Sequence, residues 1–238
     1  ESNLLATAMA PHWRDIRALN LSRGPVLGLD MLTRALTQWK QCTRLASLQL
    51  QMSDGLLDAL CRILRTPPPR LRHLVLAASR ERAPADLHQG VNETRKLRSL
   101  PTLRTMHLHL LTERMLSLLH LSLPNLARLT LSGAGIHCKL DVVLRAFPRL
   151  KSLTLTEHCS LDLKPDAEKS EAKRGKSQSS SSSAESKQLS SSPRAELKTL
   201  AIEYRADLDD EALDRLLSSL PGLQHLSLVA CEALSECS

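Results

Sequence analysis

The residues of this chain that could do chemistry are its nine histidines, its six cysteines and a surplus of cations, 32 Lys and Arg against 25 Asp and Glu. Zinc binding asks for four suitable ligands, or three and a water. His73, His107 and His109 offer imidazoles, but no Asp, Glu or Cys is predicted on their face. A second set, His137-Cys138 and His158-Cys159, is equally short of ligands, and cysteines in such places act as small buried hydrophobes. Serine is abundant, yet there is no Gly-x-Ser-x-Gly elbow, no P-loop and no His-Glu-x-x-His helix. No catalytic, cofactor-binding or metal residue is therefore assigned, and a non-enzyme is expected. What does show a pattern is positive charge: Arg17, Arg72, Arg104, Lys151 and Lys198 each occupy the same place in a recurring phrase.

That phrase is L-x-x-L-x-L. Its copies are Ile16-Leu19-Leu21, Leu45-Leu48-Leu50, Leu71-Leu74-Leu76, Leu103-Met106-Leu108, Leu126-Leu129-Leu131, Leu150-Leu153-Leu155, Leu197-Leu200-Ile202 and Leu223-Leu226-Leu228. By subtraction their first residues lie 29, 26, 32, 23, 24, 47 and 26 positions apart. A period of this size indicates stacked repeats, each packing on its neighbours. The last two aliphatic residues of each copy are two apart, so on a strand both point inward and the residues beside them point out.

Between the copies lie segments of helical period: Leu56-Leu57-Leu60-Ile63-Leu64, Met115-Leu116-Leu118-Leu119, Leu140-Val143-Leu144-Phe147 and Leu213-Leu216-Leu217-Leu220. Asp209 and Asp210 suit the N-terminus of the last. Pro101, Pro124, Pro148 and Pro221 stand two residues before a new ladder, where a helix has to end. The predicted fold is an α/β solenoid with parallel strands on a concave face and helices outside. Concave positions then include Ala18-Asn20-Ser22, His73-Val75-Ala77, Thr105-His107-His109, Arg128-Thr130-Ser132 and His225-Ser227-Val229. The face is small, polar and nearly free of the Trp, Tyr and Arg clusters that anchor tight interfaces.

Bulk composition narrows the function classes. Hydrophobic residues make up 42% and aromatics 2%, so the core has to be aliphatic. The formal charge of +7 and a pI near 9.3 favour acidic partners. Nucleic acid is an unfavoured partner, because single strands are held on aromatic platforms that this chain lacks. The cysteines follow neither a C-x-x-C nor a disulfide spacing, which points to a reducing compartment, cytoplasmic or nuclear. No apolar run reaches the ~20 residues of a membrane span.

The long gap between the sixth and seventh ladders is filled by Ser, Lys and Glu. Disorder is predicted over 164–195, because apolar residues there are too few to offset ordering entropy. The chain thus divides into repeats over 1–163, the insert over 164–195, and repeats over 196–238, the last incomplete. Ser182 (with Glu185 three residues on) and Ser192 (before Pro193) are kinase-site-like, and phosphate there would oppose the nearby Lys173, Arg174 and Lys176. Residues 79–92 are a smaller charged insertion. Neither end carries a polar cap, so the expectation is a piece of a longer protein, or ends covered by further repeats or another subunit.

Leu123-Pro124-Asn125-Leu126, Phe147-Pro148-Arg149-Leu150 and Leu220-Pro221-Gly222-Leu223 resemble the opening of ribonuclease-inhibitor-like leucine-rich repeats. The stretch from Leu223 to Leu234, with Cys231 just after the strand, is similar to the cysteine-containing repeats of F-box proteins. The resemblance covers nearly all of the chain outside 164–195. It departs at most strand exits, where Ser22-Arg23-Gly24, Gln51-Met52-Ser53 and Ala77-Ala78-Ser79 lack the usual Asn or Cys, and this chain has no F-box helix pattern. It implies a protein-interaction scaffold and, more narrowly, the substrate-recognition region of an F-box-type ubiquitin ligase adaptor. The alternatives are a structural subunit of a large assembly or a regulator of a small GTPase. The residues expected to meet a partner are the basic column, Arg17, Arg72, Arg104, Lys151 and Lys198, together with His73, His107, His109, Arg128 and His225 on the concave face.

Overall fold

The computed structural model describes residues 14–22, 27–39, 42–52, 56–78, 99–109, 113–132, 139–156, 196–204, 208–231 and 233–234. The elements run β1 (Ala18–Leu21), α1 (Leu29–Trp39), β2 (Ser47–Met52), α2 (Leu56–Arg65), β3 (His73–Ala78), β4 (Thr105–Leu108), α3 (Glu113–Ser122), β5 (Arg128–Leu131), α4 (Leu140–Ala146), β6 (Ser152–Leu155), β7 (Thr199–Glu203), α5 (Asp210–Ser219) and β8 (His225–Val229). All eight strands form one sheet, each beside its predecessor in sequence and parallel to it. Parallel neighbours need a crossover, and the helices supply it wherever the connection is described.

Each ladder builds one strand for a simple reason. Aliphatic side chains two apart share a face, and that face is buried: β2 alternates half-buried and buried residues from Ser47 to Met52. Register then stacks like on like. Leu48 pairs with Leu74, Leu74 with Met106, Met106 with Leu129, Leu129 with Leu153 and Leu153 with Leu200. These residues, with Leu32, Leu60, Met115 and Val143 from the helices, form one continuous aliphatic core. Helix α1 is an element that the helical-period reading passed over; Leu32, Leu36 and Trp39 seat it on that core.

Tight turns launch β3, β4, β5, β6 and β8. The amide of Leu103 donates to Leu100 O at 3.2 Å, that of Leu126 to Leu123 O at 3.3 Å, that of Leu150 to Phe147 O at 2.9 Å and that of Leu223 to Leu220 O at 3.0 Å. Pro101, Pro124, Pro148 and Pro221 sit second in these turns, where a fixed φ near −65° is wanted. Leu71 N donates to Pro68 O in the same way, at 3.2 Å, with Pro69 in that place. At the head of α5, Asp209 Oδ1 accepts from Ala212 N at 2.7 Å, the expected cap.

The last strand differs from the rest. Leu226 is in register with Leu200, yet it is 38% exposed and Leu200 is 0%. Val229 on the same strand and Leu217 on α5 are also exposed. Strand exits at this end carry left-handed residues, Tyr204 at φ 58° and Ala230 at φ 52°, without glycine to ease them.

Among the described residues no helix is long and apolar enough to cross a membrane. The insert over 164–195, the insertion over 79–92, Ser182, Ser192, the pairs His137-Cys138 and His158-Cys159, and the first thirteen residues lie outside the described residues.

Candidate interaction surface

One face of the sheet is packed under helices and the other presents its side chains in columns. The register defines them. Ala18, Ser47, His73, Thr105, Arg128, Ser152, Thr199 and His225 form the first column. Asn20, Gln49, Val75, His107, Thr130, Thr154, Ala201 and Ser227 form the second. These outward residues are exposed or half-buried while the aliphatic residues between them are covered from β2 to β7.

The basic positions sit at the rim where the strands begin, and main-chain hydrogen bonds align them. Arg17 O accepts from Ala46 N and Ser47 N, and Ala46 O accepts from Arg72 N and His73 N. Arg72 O accepts from Arg104 N, Arg104 O from Ala127 N, Ala127 O from Lys151 N, and Lys151 O from Lys198 N. Arg17, Arg72, Arg104, Lys151 and Lys198 therefore occupy one row, interrupted by Ala46 and Ala127. Arg17, Arg72, Arg104, Arg128 and Lys151 are exposed and Lys198 is half-buried. The launching turns are tied together along this rim. Arg104 Nη1 donates to Asn125 O at 3.2 Å, Asn125 Nδ2 to Pro101 O at 2.9 Å and Arg149 Nη1 to Asn125 Oδ1 at 2.6 Å.

The histidines divide into two groups. His107 and His109, two apart on and just after β4, converge on one hydroxyl: His107 Nε2 lies 2.9 Å and His109 Nδ1 3.2 Å from Ser132 Oγ. Burial, reinforced by the charge of His109, holds His107 below the usual imidazole pKa, so its ring favours the neutral form. His73 does not join them. It pairs with Thr105 and shares the first column with Arg128 and His225, whereas the partner of His107 on β3 is Val75. Ser132 was not singled out as a site residue from the sequence. The signal was present in the alignment of the fourth and fifth ladders, which puts Leu108 beside Leu131 and hence His109 beside Ser132.

No group of three or more His, Cys, Asp or Glu side chains that could hold a metal occurs among the described residues. Cys42, Cys61 and Cys231 are free thiols. Burial pushes the Cys42 thiol above its ordinary pKa, and burial together with Asp58 does the same for Cys61, with Arg65 opposing. Both stay protonated at neutral pH, which suits packing rather than nucleophilic attack. Cys231 lies with its Sγ 3.9 Å from Ile202 O and 3.8 Å from Val229 O, weak sulfur contacts at the exit of β8. The arrangement offers a long polar face bounded by a cationic rim.

No family model and no curated protein matches this chain.

Proposed function

We propose that this chain is a leucine-rich-repeat solenoid that serves as a non-enzymatic scaffold for protein–protein interaction. The observation that supports the reading most is the single-file parallel order of the eight strands with no register slip. Such stacking turns equivalent positions of successive repeats into continuous columns, an extended surface of the kind that repeat proteins use to hold macromolecules. The proline turns and the placement of Cys231 after β8 favour the finer reading, the substrate-recognition region of an F-box-type ubiquitin ligase adaptor.

Affinity purification of the full-length protein tests both levels. The expected result is a reproducible partner that is retained by the wild type and lost when open-face residues such as Thr130 and Thr154 are changed to bulky Trp. Ubiquitin-ligase subunits among the stoichiometric partners would support the adaptor reading. A partner set unaffected by open-face substitutions would overturn the scaffold reading. A second reading, a structural subunit, is favoured by Leu226 on β8 and Leu217 on α5, each of which is partly exposed. Partners lost on Leu226→Asp but kept by the open-face variants would support it instead.

A further inference from the structure

We propose that the rim where the strands begin is a docking track for an acidic, extended protein segment that crosses the strands and pairs its carboxylates with a row of cations. The proposal rests on the scaffold reading and names the chemistry of one partner.

The row is more complete in the structure than in the repeat phrase. Its regular column contains Arg72, Arg104, Ala127, Lys151 and Lys198 on β3 to β7. Beside the gap at Ala127, the next residue, Arg128, adds a cation from the first open-face column at the start of β5. Each of five successive strands, β3 to β7, therefore brings one cation to the same rim. Neighbouring strands are about 4.8 Å apart, so the row is about 19 Å long. An extended segment advances about 3.3 Å per residue, and about six residues would cover it. Its same-side carboxylates recur about every 6.6 Å, and the long, flexible Arg and Lys stems can absorb the difference in repeat.

Among the described residues these cations, Arg72, Arg104, Arg128, Lys151 and Lys198, have no carboxylate partner, and the Arg104 side chain donates only to the Asn125 carbonyl. Asp15 is held by Arg44 at 3.1 Å, at the β1 end. Glu196, just before β7, is the other carboxylate at this rim among the described residues, and none of the described residues of the rim from β3 to β6 is acidic. Like charges held side by side repel one another, and an anionic occupant would relieve that repulsion.

A purely structural role, with long stems covering the edge of the leucine core, would call for cations at both rims, since the core ends at both. Among the described residues, the strand exits at the opposite rim carry His109, Ser132, Thr156 and Glu203 in place of such a row. Among the described residues the row also lacks the stacking surfaces that single-stranded nucleic acid uses: Trp39 and Phe147 are buried, and Tyr204 lies at the opposite rim, after β7. Carboxylate side chains on a polypeptide fit the row better than phosphates with bases attached.

Fluorescence anisotropy of the full chain with fluorescein-labelled decaglutamate tests this, with decaglutamine and decathymidylate as controls. Decaglutamate is expected to bind, and binding should weaken at least about tenfold between 50 and 300 mM salt as the screening length shortens. Removing exposed ion pairs costs about twofold each, so Arg72→Gln/Arg104→Gln/Lys151→Gln should weaken binding about eightfold, while Arg215→Gln on α5 leaves it unchanged. Circular dichroism confirms that each variant is folded. Equal binding of decaglutamine, a salt-insensitive complex, or a folded triple variant with wild-type affinity would overturn the proposal. Binding of decathymidylate in place of decaglutamate would overturn it in favour of nucleic acid. If the partner recovered with the full-length protein is kept by the triple variant and lost by open-face variants, the docking track fails and the scaffold reading stands.

Discussion

Leu200 and Leu226 occupy the same place in successive ladders and pair with each other in the sheet, so truncating each to alanine tests how the fold is held together. Leu200 is 0% exposed, between β6 and β8. Its removal takes away the transfer energy of the lost carbons and leaves a cavity whose walls cannot fully close, a loss of about 3–5 kcal/mol. Leu226 is 38% exposed on the terminal strand. Water already reaches it, the space left behind opens to solvent, and only part of the transfer energy is forfeited, about 1 kcal/mol. Urea unfolding of the two variants, followed by far-UV circular dichroism, measures the difference; hydrogen exchange adds where it acts. Leu226→Ala should raise exchange mainly in β8, because stacked repeats fray from their ends, and Leu200→Ala should destabilise β6 and β7 together. Equal losses at the two positions would refute the reasoning, because they would mean that the outer edge of β8 is covered as closely as an interior strand.

Two further outcomes follow from single residues. Asp209→Ala removes the side-chain acceptor of the Ala212 amide at the head of α5 and should cost about 1 kcal/mol, while Asp209→Asn or Asp209→Ser should recover most of it, as read by thermal melts. The depressed pKa of His107 makes stability pH-dependent: the unfolded chain takes up a proton below about pH 6.5 before the folded chain does, so stability is full above that pH and falls as pH drops toward the folded pKa. Melting temperatures measured from pH 8 to pH 5 should show that fall, and His107→Gln should flatten it; an unchanged slope in the variant would remove His107 as the cause.

Much of the fold was legible because its signal is local. A strand needs only two inward aliphatic residues two apart, as in Leu48 and Leu50, and its launching turn needs only a proline in the right place, as in Pro124. The copies of L-x-x-L-x-L are also the observed strands, and the outward columns predicted from them are the columns seen. Helix α1 was missed although Leu32, Leu36 and Trp39 are spaced to share one helical face. The site was less legible. His73 looked equivalent to His107 and His109 as one of three imidazoles, but it sits in a different column from His107.

Sequence alone determined how many strands there are, which side chains turn inward and where the basic residues recur, since each of these follows from spacing within a few residues. Tertiary structure decided what lies beside what. Only the folded sheet turns both His107 and His109 onto the Ser132 hydroxyl, sets Arg72, Arg104, Lys151 and Lys198 in one row, and leaves Leu226 38% exposed while its equivalents on β2 to β7 are buried. The physical reason is that hydrogen bonds between strands couple residues more than twenty positions apart, and whether a given leucine is buried depends on whether another strand lies against it, a fact that no spacing within one repeat contains.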